Sequence, residues 1–291
     1  SGRFGRACAH AFEQAGAEVT RFDRKRDNLM QSAQGKDVIV AAWNPAYPDW
    51  AAQVPDLHAK IIAAAKASGA TVIVPGNVYV FGPQTPSPWC ENSSHAAQNP
   101  LGRIRIEMEK AYRASSAQVI VLRAGDYLDT EASGNWFDTM ITAKLHKGKF
   151  SYPGRADIAH AWAYLPDVAR AAVELAEKRA DLPRFLDVPY TGYTLSGQEL
   201  LAALNANLSR PARLSKMSWL PLQLARPFWP LGRCLLEMRY LWNTPHSLNG
   251  DLFHELLPRF QATPLAQALR HCLPQEVLVS QPGTVRRDAI A

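Results

Sequence analysis

Ser1-Gly2-Arg3-Phe4-Gly5 opens the chain and runs straight into an alanine-rich helical stretch, residues 6–15, after which Val19-Thr20-Arg21-Phe22-Asp23 reads as a β-rich run. The alternation then repeats. Residues 37–42, 71–75 and 118–123 are short, apolar and β-branched. Strands buried on both faces of a parallel sheet have this composition, because neither face meets water. Residues 51–67 and 102–114 between them read as helices, and Leu57, Ile61 and Ala65 recur at a spacing that faces a sheet. Strands and helices in alternation predict a doubly wound parallel α/β sheet.

Beyond Arg123 the pattern loosens. Residues 136–147 read as helical, a Gly/Pro turn region follows, and residues 166–178 form a helix that tolerates Pro166 in its first turn. Residues 185–188 read as a further strand. Residues 196–205 read as a helix capped by Ser196, with Glu199 at capping-box spacing. From Trp219 the chain is rich in tryptophan and proline, and Pro221, Pro227 and Pro230 break any long helix. Short helices packed in a smaller C-terminal domain, or at a homodimer contact, fit this better than a membrane-surface helix. The expected division is a dinucleotide-binding domain over residues 1–150 and a mainly helical substrate domain over 151–291, with part of 160–190 returning to the first sheet. The last dozen residues read as a frayed tail.

Composition narrows the function classes. The 291 residues suffice for a large core, and 47% hydrophobic with 20% charged residues is ordinary for a globular chain. No apolar run reaches the roughly 20 residues of a membrane span. The chain opens with no charged-then-apolar leader, and Cys8, Cys90, Cys234 and Cys272 form no CxxC pair, so free thiols in a reducing cytoplasm are expected. The eight histidines show no HExxH spacing, and no metal site is expected. The net charge of +6 suits an anionic small molecule. It is too dispersed for a nucleic-acid footprint, so neither nucleic acid nor membrane is an expected partner. Lys144, Lys147 and Lys149 read as a solvated face or as contacts to an acidic substrate.

The opening glycines carry the first functional signal. Glycine lets backbone N–H groups approach a pyrophosphate, and the following helix presents its positive end there. Asp23 stands 18 residues after Gly5. That is near the ~20-residue spacing of the acidic residue that holds the adenosine ribose in Rossmann dinucleotide sites. Gly2, Arg3, Phe4, Gly5, Asp23 and Arg24 are therefore candidate cofactor contacts, as are Ala41, Ala42 and Trp43 at the end of the next strand. Asp23 favours NAD, whereas Arg3 or Arg24 would suit the 2′-phosphate of NADP, and both cofactors remain open. The fingerprint ordinarily has a preceding strand and a third glycine. That strand is central in its sheet, so the natural protein is expected to begin roughly 8–12 residues earlier.

A family resemblance rests on motifs further along. Val74-Pro75-Gly76-Asn77-Val78-Tyr79-Val80-Phe81-Gly82 resembles the strand and loop of the extended short-chain dehydrogenase/reductases, which include nucleotide-sugar epimerases and dehydratases; there the loop reads Ser-Ser-x-x-Val-Tyr-Gly. Val119–Arg123 with Ala124-Gly125-Asp126 resembles the family's LRxG segment. His160-Ala161-Trp162-Ala163-Tyr164-Leu165-Pro166-Asp167-Val168-Ala169 resembles its W-x-Y-V-x-D-V-A segment. Leu257-Pro258-Arg259-Phe260 and Thr263-Pro264-Leu265 resemble the C-terminal end of some members. The resemblance implies a Rossmann fold, NAD or NADP, and a small or sugar-like substrate.

It also implies a Tyr-x-x-x-Lys pair and a Ser/Thr, and here the chain departs. In register, the hydroxyl position is Asn77, the tyrosine position Leu101 and the lysine position Arg105; no tyrosine in the chain has a lysine four residues later. Leu101 has no proton to transfer, and Arg105 cannot act as a base. Three readings follow. The acid/base has moved, with Tyr79 the first candidate and Asp126 and Tyr164 behind it. Alternatively, Asn77 and Arg105 orient and polarise while protons come from water or substrate. Or the chain is a non-catalytic NAD(P)-sensing regulator that binds a protein partner. His160 and Trp162 are read as lining the cleft or as core.

Overall fold

The computed structural model describes residues 2–279; the expected terminal tail lies outside them. The chain opens with helix α1 (Arg3–Gln14), and Gly2 is its N-cap. Phe4, Cys8 and Ala11 are its buried positions, at the spacing of one helix face. The helix starts three residues earlier than its sequence suggests. The Arg6 N–H donates to the Gly2 carbonyl at 3.0 Å, so Arg3, Phe4 and Gly5 lie inside the first turn rather than in a loop.

A short helix α2 (Leu29–Ser32) precedes β1 (Val38–Val40), α3 (Trp50–Ser68), β2 (Thr71–Gly76), α4 (Pro100–Ala114) and β3 (Val119–Arg123). Strands β4 (Asp126–Leu128), β5 (Lys149–Tyr152) and β6 (His160–Tyr164) follow, then α5 (Leu165–Glu177) and β7 (Phe185–Pro189). The main sheet is parallel, in the order β1-β2-β3-β7. Its side chains alternate between two cores, as a period of two requires. Val72, Val74, Val119 and Val121 join the core under α3 and α4. Ile73, Ile120, Leu122 and Val188 join the core under α1 and α5.

The remaining elements are β8 (Tyr193–Leu195), α6 (Gly197–Asn205), β9 (Arg213–Lys216), α7 (Leu220–Ala225), α8 (Pro230–Glu237), α9 (Asp251–Leu256) and α10 (Leu265–His271). They surround a three-stranded sheet, β4-β6-β8, and a parallel pair, β5-β9. Trp136, Trp162, Trp219 and Trp242 are buried in a third core there. Ser196 and Glu199 form the full capping box at the start of α6. No helix among the described residues is long and apolar enough to cross a membrane.

Two expectations fail. Residues 19–23 are not a strand. Their β-branched composition suits one, but a strand exists only through a ladder, and no strand among the described residues pairs with them. Phe22 instead leans on Trp43, with ring centroids 5.4 Å apart. Residues 136–147 are not an α-helix but a π-turn, Phe137–Ile141, followed by a 3-10 turn, Leu145–Lys147. The Thr139 and Thr142 hydroxyls donate to the carbonyls of Asn135 and Phe137. Side chains thus compete for the carbonyls that a regular helix would use.

Burial sets the pH response of the fold. It pushes the imidazoles of His58 and His246 down to about 3. For His246 the neighbouring His160 adds to that effect, and for His58 the Arg105 guanidinium does. A depressed histidine leaves stability intact above the unfolded value near 6.5 and removes it as pH falls toward the folded value. The unfolding free energy from urea titrations, and the midpoint with it, should therefore fall between about pH 6.5 and 4.5, with a slope that rises toward about 1.4 kcal/mol per pH unit for each of the two histidines. Equal midpoints across that range would contradict it.

Candidate active site at the carboxyl ends of β1 and β2

The loop after β2 is shaped by small residues and one side-chain cap. Asn77 N-caps the 3-10 turn Val78–Val80, its Oδ1 accepting the Tyr79 N–H at 3.0 Å. Gly102 of α4 lies beneath this turn, where a Cβ would meet the Tyr79 carbonyl oxygen at 2.6 Å. The close approach fixes Tyr79 against α4 and in the core.

The Tyr79 hydroxyl lies 2.7 Å from that of Tyr47, on the turn Tyr47–Asp49 after β1. Burial pushes the Tyr79 phenol well above 10, and Tyr47 and Asp126 push the same way. The Tyr47 phenol is also raised, chiefly by burial. Both therefore hold their protons at neutral pH.

Arg105 is buried at 4% exposure. It donates to the Pro75 carbonyl at 2.6 Å and lies 5.9 Å from the centre of the Trp50 ring, while its Nε has no hydrogen-bond partner among the described residues. Trp50 in turn lies 6.2 Å from Tyr79. Asn77, Tyr79 and Arg105 are thus gathered around one strand end. Leu101, at the position where the resemblance implies a tyrosine, is buried in the core.

A buried arginine anchors this loop from behind. Arg123 has no exposed surface. Its Nη1 donates to the Asn77 carbonyl at 2.5 Å, and its Nε and Nη2 clasp Asp187 at 3.1 and 2.5 Å. Nη2 also reaches Glu109 of α4 at 2.6 Å. Burial opposes the charge on Arg123, but the two carboxylates outweigh it and raise its pKa. Burial likewise opposes ionisation of Glu109, and Arg123 and Arg105 together hold it below the usual carboxylate range. His95 lies 3.9 Å from Glu109 and 4.0 Å from Asp187. These three residue types are able to ligate a metal, but the guanidinium already occupies the carboxylates.

The N-terminal candidates divide. Gly2 lies against the end of β1, where an added Cβ would be 3.5 Å from the Ala42 carbonyl oxygen. No side chain caps the helix there. Arg24 lies 5.7 Å from the centre of the Trp43 ring. Asp23 is half-buried, with one oxygen accepting the Lys25 N–H and the other paired with Arg26, each at 2.9 Å. Those two contacts hold its carboxyl below its ordinary range. Phe4 and Ala41 are buried in the two cores, and the Arg3 guanidinium donates to the Ser133 carbonyl at 2.7 Å. Gly5 lies within α1.

Two features went unread in the sequence. Tyr47 was not singled out, since only the fold brings it to Tyr79 across 32 positions. Asp126 and His160 were read separately, yet they form a pair at 2.8 Å with His160 stacked on Trp242, ring centroids 4.4 Å apart. The parallel pairing of β4 with β6 brings them together. Tyr164 instead bonds His271 at 2.9 Å.

The sequence matches the family model for the RmlD substrate binding domain over residues 1–199. No curated protein matches it. Among solved structures it is similar to the UDP-N-acetylglucosamine 4-epimerase of Bacillus cereus, with a TM-score of 0.71 and 13% identity over 97% of this chain and 96% of that one. A GalE-like L-threonine dehydrogenase from Cupriavidus necator gives 0.71 and 15% over 94% and 96%. A UDP-glucose-4-epimerase from Stenotrophomonas maltophila, with bound NAD and formylated UDP-arabinopyranose, gives 0.68 and 14% over 93% and 94%. At these identities the likeness is one of fold.

The Arg123 cluster makes a direct stability prediction. Arg123→Met leaves two carboxylates buried without a cation and should cost about 3–5 kcal/mol in urea unfolding. Adding Glu109→Gln and Asp187→Asn to that variant should recover part of the loss, and a single variant as stable as the parent would refute the role.

Proposed function

The chain belongs to the RmlD substrate binding domain family, and from that premise we propose that it is an NAD(P)-dependent oxidoreductase or epimerase/dehydratase-like enzyme acting on a small or sugar-like substrate. The observation that carries this reading is a convergence. The uncapped N-terminus of α1 meets the end of β1 at Ala42, and the Tyr47–Tyr79 hydroxyl pair stands beyond the ends of β1 and β2. Ligands of open α/β sheets bind at this edge, outside the carboxyl ends of the strands.

The residues present fit a dinucleotide. An uncapped helix start offers backbone N–H groups to a pyrophosphate, and Gly2 places that start beside the Ala42 carbonyl. Asp23 stays ionised and retains lone pairs for ribose hydroxyls. Arg24 and Trp43 present a cation and an aromatic face at the same end. The bound nicotinamide would supply or accept the hydride.

The chain supplies the proton. Tyr79 Oη, protonated at neutral pH, donates to a carbonyl oxygen as it is reduced, and Tyr47 Oη shares the proton across their 2.7 Å hydrogen bond. Asn77 and Arg105 are positioning residues, because Asn77 holds the Tyr79 N–H and Arg105 holds the Pro75 carbonyl. Asp126 adds negative charge near both phenols, which favours their protonated forms. The reading keeps the enzyme in the cytoplasm, without a nucleic-acid partner. It also makes it a homodimer, with the exposed Leu224 and Phe228 as apolar side chains for a second copy to cover.

Turnover of sugar nucleotides and carbonyl compounds with NAD(H) or NADP(H) tests the proposal. Tyr79→Phe should lower kcat by about 10²–10⁴ with the fold intact, and Tyr47→Phe by less. Because the Tyr79 phenol is raised, the donor form is lost only above about pH 10, so the rate should show no alkaline fall from this group below about pH 9. Full activity in Tyr79→Phe would remove Tyr79 from the mechanism. Cofactor binding with no turnover across the panel would favour a cofactor-sensing regulator.

A further inference from the structure

Away from this site, the β5–β9 pair gathers cations with no opposing charge. Lys147 and Lys149 flank Gly148 at the start of β5, and Arg210 and Arg213 flank the start of β9. Together they line a groove of ≈ 710 Å³, closed by Leu214 and Ser215 and with no acidic residue in its lining. All four are exposed. Among the described residues none of the four takes part in an ion pair.

The strand register sharpens the point. Lys149 is the direct parallel partner of Arg213, and like charges placed opposite each other destabilise a sheet. Gly148 adopts φ +67°, a conformation side chains disfavour, and its carbonyl accepts the Arg213 N–H at 3.0 Å. The backbone is thus arranged to hold two cations side by side. An arginine fork recognises phosphate through paired N–H donors, and a lysine adds a compact charge beside it.

We propose that the β5–β9 groove is a second anion site that binds phosphate esters, with charge enough for more than one phosphate group. It shares no residue with the dinucleotide contacts at α1, β1 and the Asp23 loop. Two sources carry this chemistry: a free phosphorylated solute and the headgroup of an anionic lipid.

The test uses the full chain, with pyrophosphate as the probe and calorimetry as the readout. With the helix start of α1 blocked by Gly2→Glu, saturable binding is still expected, and adding Lys149→Glu/Arg213→Glu should weaken it about tenfold or more. The groove residues are exposed, so the variants should fold, and Lys149→Ala alone should melt no lower than the parent because it relieves a like-charge pair. Flotation with phosphatidylcholine vesicles, with and without phosphatidylglycerol, separates the sources. Binding to the anionic vesicles that is lost in the double variant identifies a lipid headgroup, and pyrophosphate binding without flotation identifies a free phosphate ester. Absence of saturable pyrophosphate binding, or equal binding in the double variant, would overturn the proposal.

Discussion

A single buried guanidinium ties together the elements at the carboxyl end of the main sheet. Arg123 ends β3, and its donors reach α4 through Glu109, β7 through Asp187 and the loop after β2 through the Asn77 carbonyl. Three elements distant in sequence are therefore fixed relative to one another at the carboxyl end of the sheet. A charge this deep is tolerated only when its hydrogen bonds are met. Two carboxylates and a carbonyl meet them here. Gly76 is part of the same constraint, since a Cβ there would meet the Arg123 Cα at 3.0 Å.

The loop that Arg123 anchors carries Tyr79, and in the proposed mechanism that placement compensates for what α4 lacks. A leucine and an arginine occupy the α4 positions where the family resemblance implies the acid and its lysine. Leu101 packs in the core, and Arg105 turns to the Pro75 carbonyl. The phenol proposed in its place stands on the adjacent loop, where its partner is a second phenol from the turn after β1 rather than an ammonium. The difference has a chemical consequence. A lysine would lower the tyrosine pKa and let it serve as a base, whereas burial beside Tyr47 and Asp126 raises it and suits it to donate.

Much of the fold was legible because the parallel strands are covered on both faces. Val72 through Val74 and Val119 through Leu122 have no exposed side and need no polar alternation. Residues 19–23 carry the same composition, but composition cannot supply a ladder partner. Residues 136–147 misled for the opposite reason, since apolar periodicity hid hydroxyls that bond local carbonyls. In the candidate site, Asn77 and Tyr79 were legible through a local motif. Tyr47, the Asp126–His160 pair and the clasp of Arg123 by Glu109 and Asp187 depend on approach through space, which no local spacing encodes.

The central claim is that the α1 start, the end of β1 and the Asp23 loop together seat a nicotinamide dinucleotide. Calorimetric titration of the folded chain with NADH and with NADPH tests it most directly. One saturable site per chain for at least one of the two, weakened by Gly2→Glu at the helix start, is the result predicted. A folded chain that binds neither dinucleotide would contradict it.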